Sequence, residues 1–365
     1  MNQKRNIGLD MARVLAIVLV WVNHSGNFAI GLDPVFMEFG GVFCIEVFFT
    51  LSGLLVGRSM IRILTAEKPG PALKRFYGNR LIRTLPLYYL SLLLLWGLWC
   101  VTPPISCFFF LQNFNEEAIS YFPPSWSLPI EMWFYFLIPV ILLGLVRLFS
   151  RKCSEEKAVF SAIDLLCLIS FLLRVFWVIQ ADPTWDFGVR KQIFLRLDAL
   201  MMGVFLAALK HYHPPRYQSL GKSIGCLLLS LLGIFFLYLW FRLDLRENFD
   251  DSNIGRIGMF TLMPFFCLLL VVWLDNAAWP EKLRGTIGER IICGISSMGY
   301  SIYLLHWIVF QLVSPWFTEA GFLKSWLGFF LAICLTLCAS WATYRWIEVP
   351  LGKWKERLLS RKQAV

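Results

Sequence analysis

Apolar residues fall in long blocks along this chain, with short polar segments between them. Ten blocks stand out, at roughly 8–26, 40–60, 84–101, 128–147, 159–180, 193–210, 223–241, 257–274, 297–317 and 325–346. A stretch of about 20 residues with few charges is long enough to cross a bilayer as a helix. In hydrocarbon every backbone polar group must be satisfied inside the protein, and a helix does this within one segment. The pattern predicts an all-α fold, a polytopic integral membrane protein with about ten transmembrane helices. Composition agrees: 58% of the 365 residues are hydrophobic and 16% are charged, against about 25% charged in soluble domains.

The polar segments alternate in charge. Arg58, Arg62, Lys68, Lys74, Arg75, Arg80 and Arg83 follow the second block, and Arg147, Arg151, Lys152 and Lys157 the fourth. Lys210, Arg216 and Lys222 follow the sixth, Lys282, Arg284 and Arg290 the eighth, and Lys353, Lys355, Arg357, Arg361 and Lys362 crowd the tail. The opposite segments are poor in Lys and Arg; 102–127 holds Glu116 and Glu117 and no basic residue. Basic residues concentrate on cytoplasmic loops, so both termini are expected in the cytoplasm and the chain in the inner or plasma membrane of the cell. The net charge of +10 resides in these clusters, so the expected partner is the lipid bilayer and no nucleic acid.

Several other classes are disfavoured. The first apolar run contains Arg13 and ends at His24 with no small-x-small site after it, so no cleaved signal peptide is expected. The ten cysteines form no C-x-x-C pair. Cys100 and Cys107 flank a segment expected outside, where a disulfide would be compatible with the compartment. The four histidines are scattered apart from His211 and His213 in a basic loop, so no metal site is expected. Gly221-Lys222-Ser223 lacks the earlier glycine of a phosphate-binding loop, because Arg216 stands there. Gly53 and Gly57 form a G-x-x-x-G, which reads as a close helix contact.

An ionisable residue inside a span costs about 3 kcal/mol on insertion scales and is a functional candidate by default. Arg13 and His24 are eleven residues apart, about three turns and about 16 Å of rise, and they point within about 20° of one direction. A cation toward the cytoplasm and an imidazole toward the far side suit an extended donor that enters from the cytoplasm. Arg13 would grip phosphate or amide oxygens while His24 acts at a thioester. The competing reading pairs Arg13 with Asp10 or lets it snorkel, and leaves His24 as an interfacial histidine. Arg80 and Arg83 share a helix face at the cytoplasmic boundary, where they either anchor the helix or bind phosphates. Glu131 opens the fourth block at the level of His24. It either orients the imidazole, holds an acceptor, or serves as a helix-start acid. Asp33 and Glu38 are weaker candidates. Arg196 with Asp198 and Arg345 with Glu348 are expected as structural pairs, and His306 as a hydrogen-bonded packing residue.

Seven blocks together resemble the signature of the acyltransferase family 3 membrane enzymes. They are Gly8-Leu9-Asp10-Met11-Ala12-Arg13 with His24; Phe39-Gly40-Gly41 through Glu46 to Gly53; and Asn79 through Arg83 before Leu85-Pro86. Then come Trp126-Ser127-Leu128 with Glu131, Arg196-Leu197-Asp198, Tyr300 through His306, and Tyr344-Arg345 with Ile347-Glu348. They follow the family's order from about residue 7 to 352. The resemblance implies a transmembrane acyltransferase domain over 1–352 and a basic cytoplasmic tail over 353–365. It implies an acyl-CoA-dependent O-acyltransferase that moves an acyl group, by family habit acetyl, from cytoplasmic acetyl-CoA or another acyl-CoA to an extracytoplasmic hydroxyl, mostly on cell-envelope carbohydrate.

The family's essential histidine falls on His24, its companion arginine on Arg13, and its CoA-binding arginines on Arg80 and Arg83. Glu131 and Glu46 complete the expected catalytic set. Three positions depart from the pattern: Asn79 stands where many members have arginine, Glu46 replaces an aspartate, and Met132 takes the second place of a Glu-Glu pair. The fused hydrolase-like domain of some members is not expected in this chain. The loop 102–127 carries Phe108, Phe109, Phe110, Tyr121, Phe122 and Trp126, whose faces would suit sugar rings. Two rival readings are a transporter of a small polar molecule, since buried Arg, His and Glu also line translocation paths, and a non-catalytic scaffold in a glycan pathway.

Overall fold

The computed structural model describes residues 5–245, 248–277, 284–317 and 321–361. Of the basic residues that set the expected orientation, Lys282 and Lys362 lie outside the described residues, as does the end of the tail. All regular structure among the described residues is helical. The main helices are α1 (Ile7–His24), α2 (Pro34–Leu64), α3 (Pro69–Trp99), α4 (Ser127–Phe149), α5 (Glu155–Ala181) and α6 (Leu197–Tyr212). They continue with α7 (Ile224–Trp240), α8 (Asn253–Asn276), α9 (Ile287–Ser297), α10 (Gly299–Val313) and α11 (Phe322–Thr343). Polar side chains start several of them: Asn6 accepts from Leu9 N, Asp33 from Val35 N and Ser252 from Gly255 N, as helix N-caps do.

Each of the ten apolar blocks is a helix, with instructive departures. Among the described residues, eight helices are long and apolar enough to cross a membrane, and α9 with α10, bent by 75° at their junction, makes a ninth if the two are one span. The remaining block is α6, whose 16 residues fall short of the about 20 that a bilayer requires. It lies in the middle of the bundle, where Ala199, Leu200, Met201, Val204 and Leu206 are fully buried. Irregular backbone at 191–196 precedes it, which protein tolerates at membrane depth when other protein covers it. α3 begins at Pro69 rather than near residue 84. Its first four turns are basic, so an apolar count misses them, and Arg80 and Arg83 stand on the same rod as the span.

α2 is the most enclosed of the spans and packs on α6 through glycine. A Cβ on Gly53 would come 2.0 Å from the Leu200 carbonyl oxygen, and one on Gly57 would come 2.9 Å from Val204 Cα. The G-x-x-x-G is therefore a helix contact. Gly53→Val is expected to force α2 and α6 apart, and the variant should fail to accumulate in membranes; an immunoblot beside Gly144→Val, which meets nothing within 4 Å, checks this.

Ion clusters sort the helix ends into two faces. At the basic end the Asp275 carboxylate accepts from Asn6 Nδ2 at 2.8 Å, Lys210 Nζ at 2.5 Å, Tyr217 OH at 2.5 Å and Arg58 at 3.3 Å. This joins the start of α1 to the ends of α2, α6 and α8. At the other end Asp33 pairs with Arg242, and Arg256 with Asp182 at 2.6 Å. Each end of the bundle is thus tied by ion pairs between segments distant in sequence.

Two expected pairs are exchanged. Arg196 binds Glu46, not Asp198, and Asp198 takes Arg174 at 2.7 Å. Glu348 accepts from the Ser301 hydroxyl, and no Arg345–Glu348 ion pair occurs among the described residues. Cys100 and Cys107 are both free thiols, the second fully buried, so the disulfide compatible with their placement is not formed.

Candidate active site

Four of the six predicted residues meet in one cavity. Arg13 from α1, Arg80 and Arg83 from α3 and Glu131 from α4 line a space of about 150 Å³ inside the bundle. Arg13 is held in place by both neighbours that could hold it: its Nη1 donates to Asp10 Oδ1 at 2.9 Å and to Ser296 Oγ at 3.2 Å. The pairing with Asp10 and the exposure to a cavity are therefore not alternatives. Asp10 is itself pinned, accepting from Arg5 Nε at 2.5 Å and Ser296 Oγ at 2.5 Å.

Arg80 lies over the Tyr135 ring at 5.4 Å and the Phe76 ring at 5.7 Å, and its Nε is buried with no partner. Glu131 Oε2 accepts from Tyr135 OH at 3.0 Å, and that hydroxyl shares a second hydrogen bond with Ser52 Oγ at 2.7 Å. Three guanidinium groups against one carboxylate give the cavity a positive balance. An unsatisfied guanidinium donor in low dielectric is costly, and an anionic ligand removes that cost.

His24 stands beyond this cavity, at the C-terminal end of α1. Its ring lies 5.1 Å from that of His306, at an interplanar angle of 51°. His306 is fully buried; its Nδ1 meets the Ile302 carbonyl at 3.1 Å and its Nε2 has no partner. A neutral imidazole that donates from Nδ1 to a carbonyl keeps its lone pair on Nε2. The His306 ring is 6.1 Å from Tyr303. Tyr303 lines the cavity, shares a hydrogen bond with Ser127 Oγ at 2.7 Å and donates to the Pro124 carbonyl. Cavity, Tyr303, His306 and His24 form a contiguous series. Glu131, engaged with Tyr135, is not a hydrogen-bond partner of His24 among the described residues.

Glu46 is placed elsewhere. It is buried against Arg196, whose guanidinium also covers the Phe260 ring at 4.5 Å. The segment before α6 packs closely over the end of the bundle that holds His24. Arg190 donates to Asp186 Oδ1 at 3.0 Å and to the Gly41 carbonyl at 2.9 Å, and lies over the Trp126 ring at 4.8 Å. Burial alone would raise the Asp186 carboxyl, but Arg190 and Lys191 outweigh it and hold it below its ordinary range. Four of the six loop aromatics expected to face sugar are occupied: Trp126 by Arg190, Phe108 by Tyr89 at 6.0 Å, Phe110 by Tyr88 at 4.7 Å, and Phe122 by Trp307 at 6.1 Å. Phe109 stays exposed.

His306 is the hydrogen-bonded packing residue the sequence suggested, but its ring contact with His24 was not foreseen, and Arg190 was passed over. A signal for His306 was present, an ionisable residue at mid-span. The signal for Arg190 was a basic pair, Arg190 and Lys191, in a loop on the side otherwise poor in such residues.

Comparisons with known proteins bear on this geometry. Residues 6–345 match the family model described as an acyltransferase domain. The O-acetyltransferase OatA of Staphylococcus aureus (strain NCTC 8325 / PS 47) is 24% identical over 370 residues, which cover 95% of this chain and 57% of that protein. A protein of Staphylococcus aureus (strain COL), provisionally named as an O-acetyltransferase, is 26% identical over 375 residues with the same coverage, 95% and 57%. The chain thus spans 57% of the length of these curated relatives. No solved structure matches the chain.

Proposed function

The chain belongs to acyltransferase family 3, and from that premise we propose that it moves an acetyl group from cytoplasmic acetyl-CoA to a hydroxyl of an extracytoplasmic carbohydrate. The observation that carries this reading is the cavity in which Arg13, Arg80 and Arg83 converge from two helices and from which Tyr303 and His306 lead to His24. Acyl-CoA is polyanionic at one end and has its thioester at the other, so a positive cavity on the basic side and an imidazole toward the far side match its two ends.

In this reading the phosphates lie against Arg80 and Arg83, and Arg13, fixed by Asp10, meets the phosphate or amide oxygens of the arm. His24 takes the proton of the acceptor hydroxyl as its oxygen attacks the thioester carbonyl. A C–O bond forms, the C–S bond breaks, and the departing thiolate receives the proton. His306 packs the His24 ring into one orientation. Glu131, with Tyr135 and Ser52, shapes the wall along which the arm runs.

The test is transfer from radiolabelled acetyl-CoA in membranes that contain the chain and host envelope material. Label in glycan, released by mild alkali as an O-ester is, is expected only when the chain is present. No such label with acetyl-CoA or with longer acyl-CoAs would refute the reading and favour translocation without transfer.

A further inference from the structure

A second cavity, of about 260 Å³, adjoins the first and shares Arg83 as a wall. It lies between the middle of α3 and the C-terminal segment, and is lined by Asn79, Ser297, Tyr344, Glu348 and Lys355 among others. The C-terminal segment reaches it as a π turn, Tyr344–Glu348, continued by the helix Val349–Arg361. Nothing in the chemistry at His24 requires this space.

Its polar groups are of two kinds. Arg83 and Lys355 supply positive charge. Asn79 Oδ1 is a buried acceptor with no partner, and Glu348, the cavity's one carboxylate, accepts from the Ser301 hydroxyl through one oxygen. A ligand that suits both kinds brings phosphate for the cations and N–H or O–H donors for the acceptors. Inorganic phosphate meets the cations but brings at most one or two P–OH donors on the same small ion. A nucleotide satisfies both, through its phosphates on one side and its exocyclic amine or ribose hydroxyls on the other.

We propose that this second cavity holds the nucleotide portion of the acyl-CoA donor, so that the C-terminal segment forms part of the donor site. The inference rests on the acyl-CoA reading given above. Arg83, common to both cavities, stands where the phosphates turn into the arm, and the arm runs past it toward Arg13. The buried carboxamide of Asn79 finds its missing donor in the base or ribose.

The experiment compares acetyl-CoA with the acetyl thioester of pantetheine, which lacks the nucleotide, as donors for the full chain in membranes. Wild type is expected to favour acetyl-CoA in kcat/KM, and Lys355→Ala and Asn79→Leu are each expected to reduce that preference about tenfold, the scale of one lost hydrogen bond to a charged or buried partner. The loss should be read chiefly in the KM for acetyl-CoA. Should one variant fail to accumulate, the other decides. Adenosine 3′,5′-bisphosphate is expected to compete with acetyl-CoA in wild type and less well in Asn79→Leu, whereas inorganic phosphate at the same concentration does not compete. An unchanged donor preference in the variants, with wild type using acetyl-CoA normally, would overturn the subsite alone. Equal competition by phosphate would reduce the cavity to an anion site and overturn the nucleotide assignment. Wild type that transfers from neither thioester would overturn the donor assignment and the subsite together.

Discussion

His24→Ala is expected to lower acetyl transfer by about a thousandfold or more while the protein stays in the membrane at its normal level. General-base catalysis contributes about 10²–10⁴ in rate, and the imidazole at the C-terminal end of α1 is the group assigned above to the acceptor proton. The substitution should be well tolerated by the fold. His24 is half-buried at a helix end and is held by its ring contact with His306, with no hydrogen bond or ion pair among the described residues. Its loss removes packing and strands no partner. His306→Ala is expected to cost less, about 10–100-fold, because it lets the His24 ring turn without removing the base. The double variant should then be no slower than His24→Ala alone, since residues that act as a unit are not additive. Initial rates from labelled acetyl-CoA, normalised to protein by immunoblot, measure all three. Retention of transfer within a few-fold in His24→Ala would remove the histidine from the chemistry, and a double variant slower by the product of the two losses would show that the histidines act independently.

Much of this site was legible because a membrane makes charge conspicuous. Arg13, Arg80, Arg83 and Glu131 are each an ionisable group in or at the edge of an apolar block, and all four reach one cavity. The ten helices were legible for the same reason, since spanning length is written directly in apolar length. What sequence spacing does not carry is the choice of partner between helices. Arg196 and Asp198, two residues apart, were expected together, yet their partners are Glu46 and Arg174 on other helices. Side chains two apart on a helix do not face each other, and here the helix begins only at Leu197, so Arg196 departs in its own direction. Arg345 and Glu348 have the spacing of an α-helical pair, but Tyr344–Glu348 is a π turn, which changes the angle between them and delivers Glu348 to Ser301. The 75° bend between α9 and α10 was hidden because α9 carries Glu289 and Arg290, so an apolar count starts the block near residue 297 and leaves α9 in the polar segment before it. That bend matters to the site, because Ser296 before it and Tyr300 and Tyr303 after it all line the cavity.

Glu46 tests how far the site extends, and the second large effect is expected there. Its carboxylate and the Arg196 guanidinium are buried together, with 2% and 0% of their side chains exposed. Removing one member of such a pair leaves the other charged, desolvated and unmatched, at a cost of about 3–5 kcal/mol, whereas replacing both with apolar residues of similar size is often neutral. Arg196→Leu and Glu46→Leu are therefore each expected to lower the melting temperature and the membrane level sharply. The double variant, Glu46→Leu with Arg196→Leu, is expected to regain most of that loss. Thermal unfolding of the detergent-solubilised protein, followed beside transfer activity, separates two roles for the carboxylate. If Glu46 only supports α2 against the segment that opens α6, activity returns with stability in the double variant. A Glu46→Leu protein that melts like wild type and yet transfers nothing would put the carboxylate in the chemistry instead. The geometry favours support: Arg196 takes up one carboxylate oxygen, and Glu46 lies outside the cavity that gathers Arg13, Arg80, Arg83 and Glu131. Support from this position is not trivial for function, because α2 also carries Gly41 and Ser52. The first gives its carbonyl to Arg190 near His24, and the second shares the hydroxyl of Tyr135 that holds Glu131. The buried ion pair thus fixes the part of α2 between Gly41 and Ser52, which is why a charged pair expensive to bury is expected to matter to transfer.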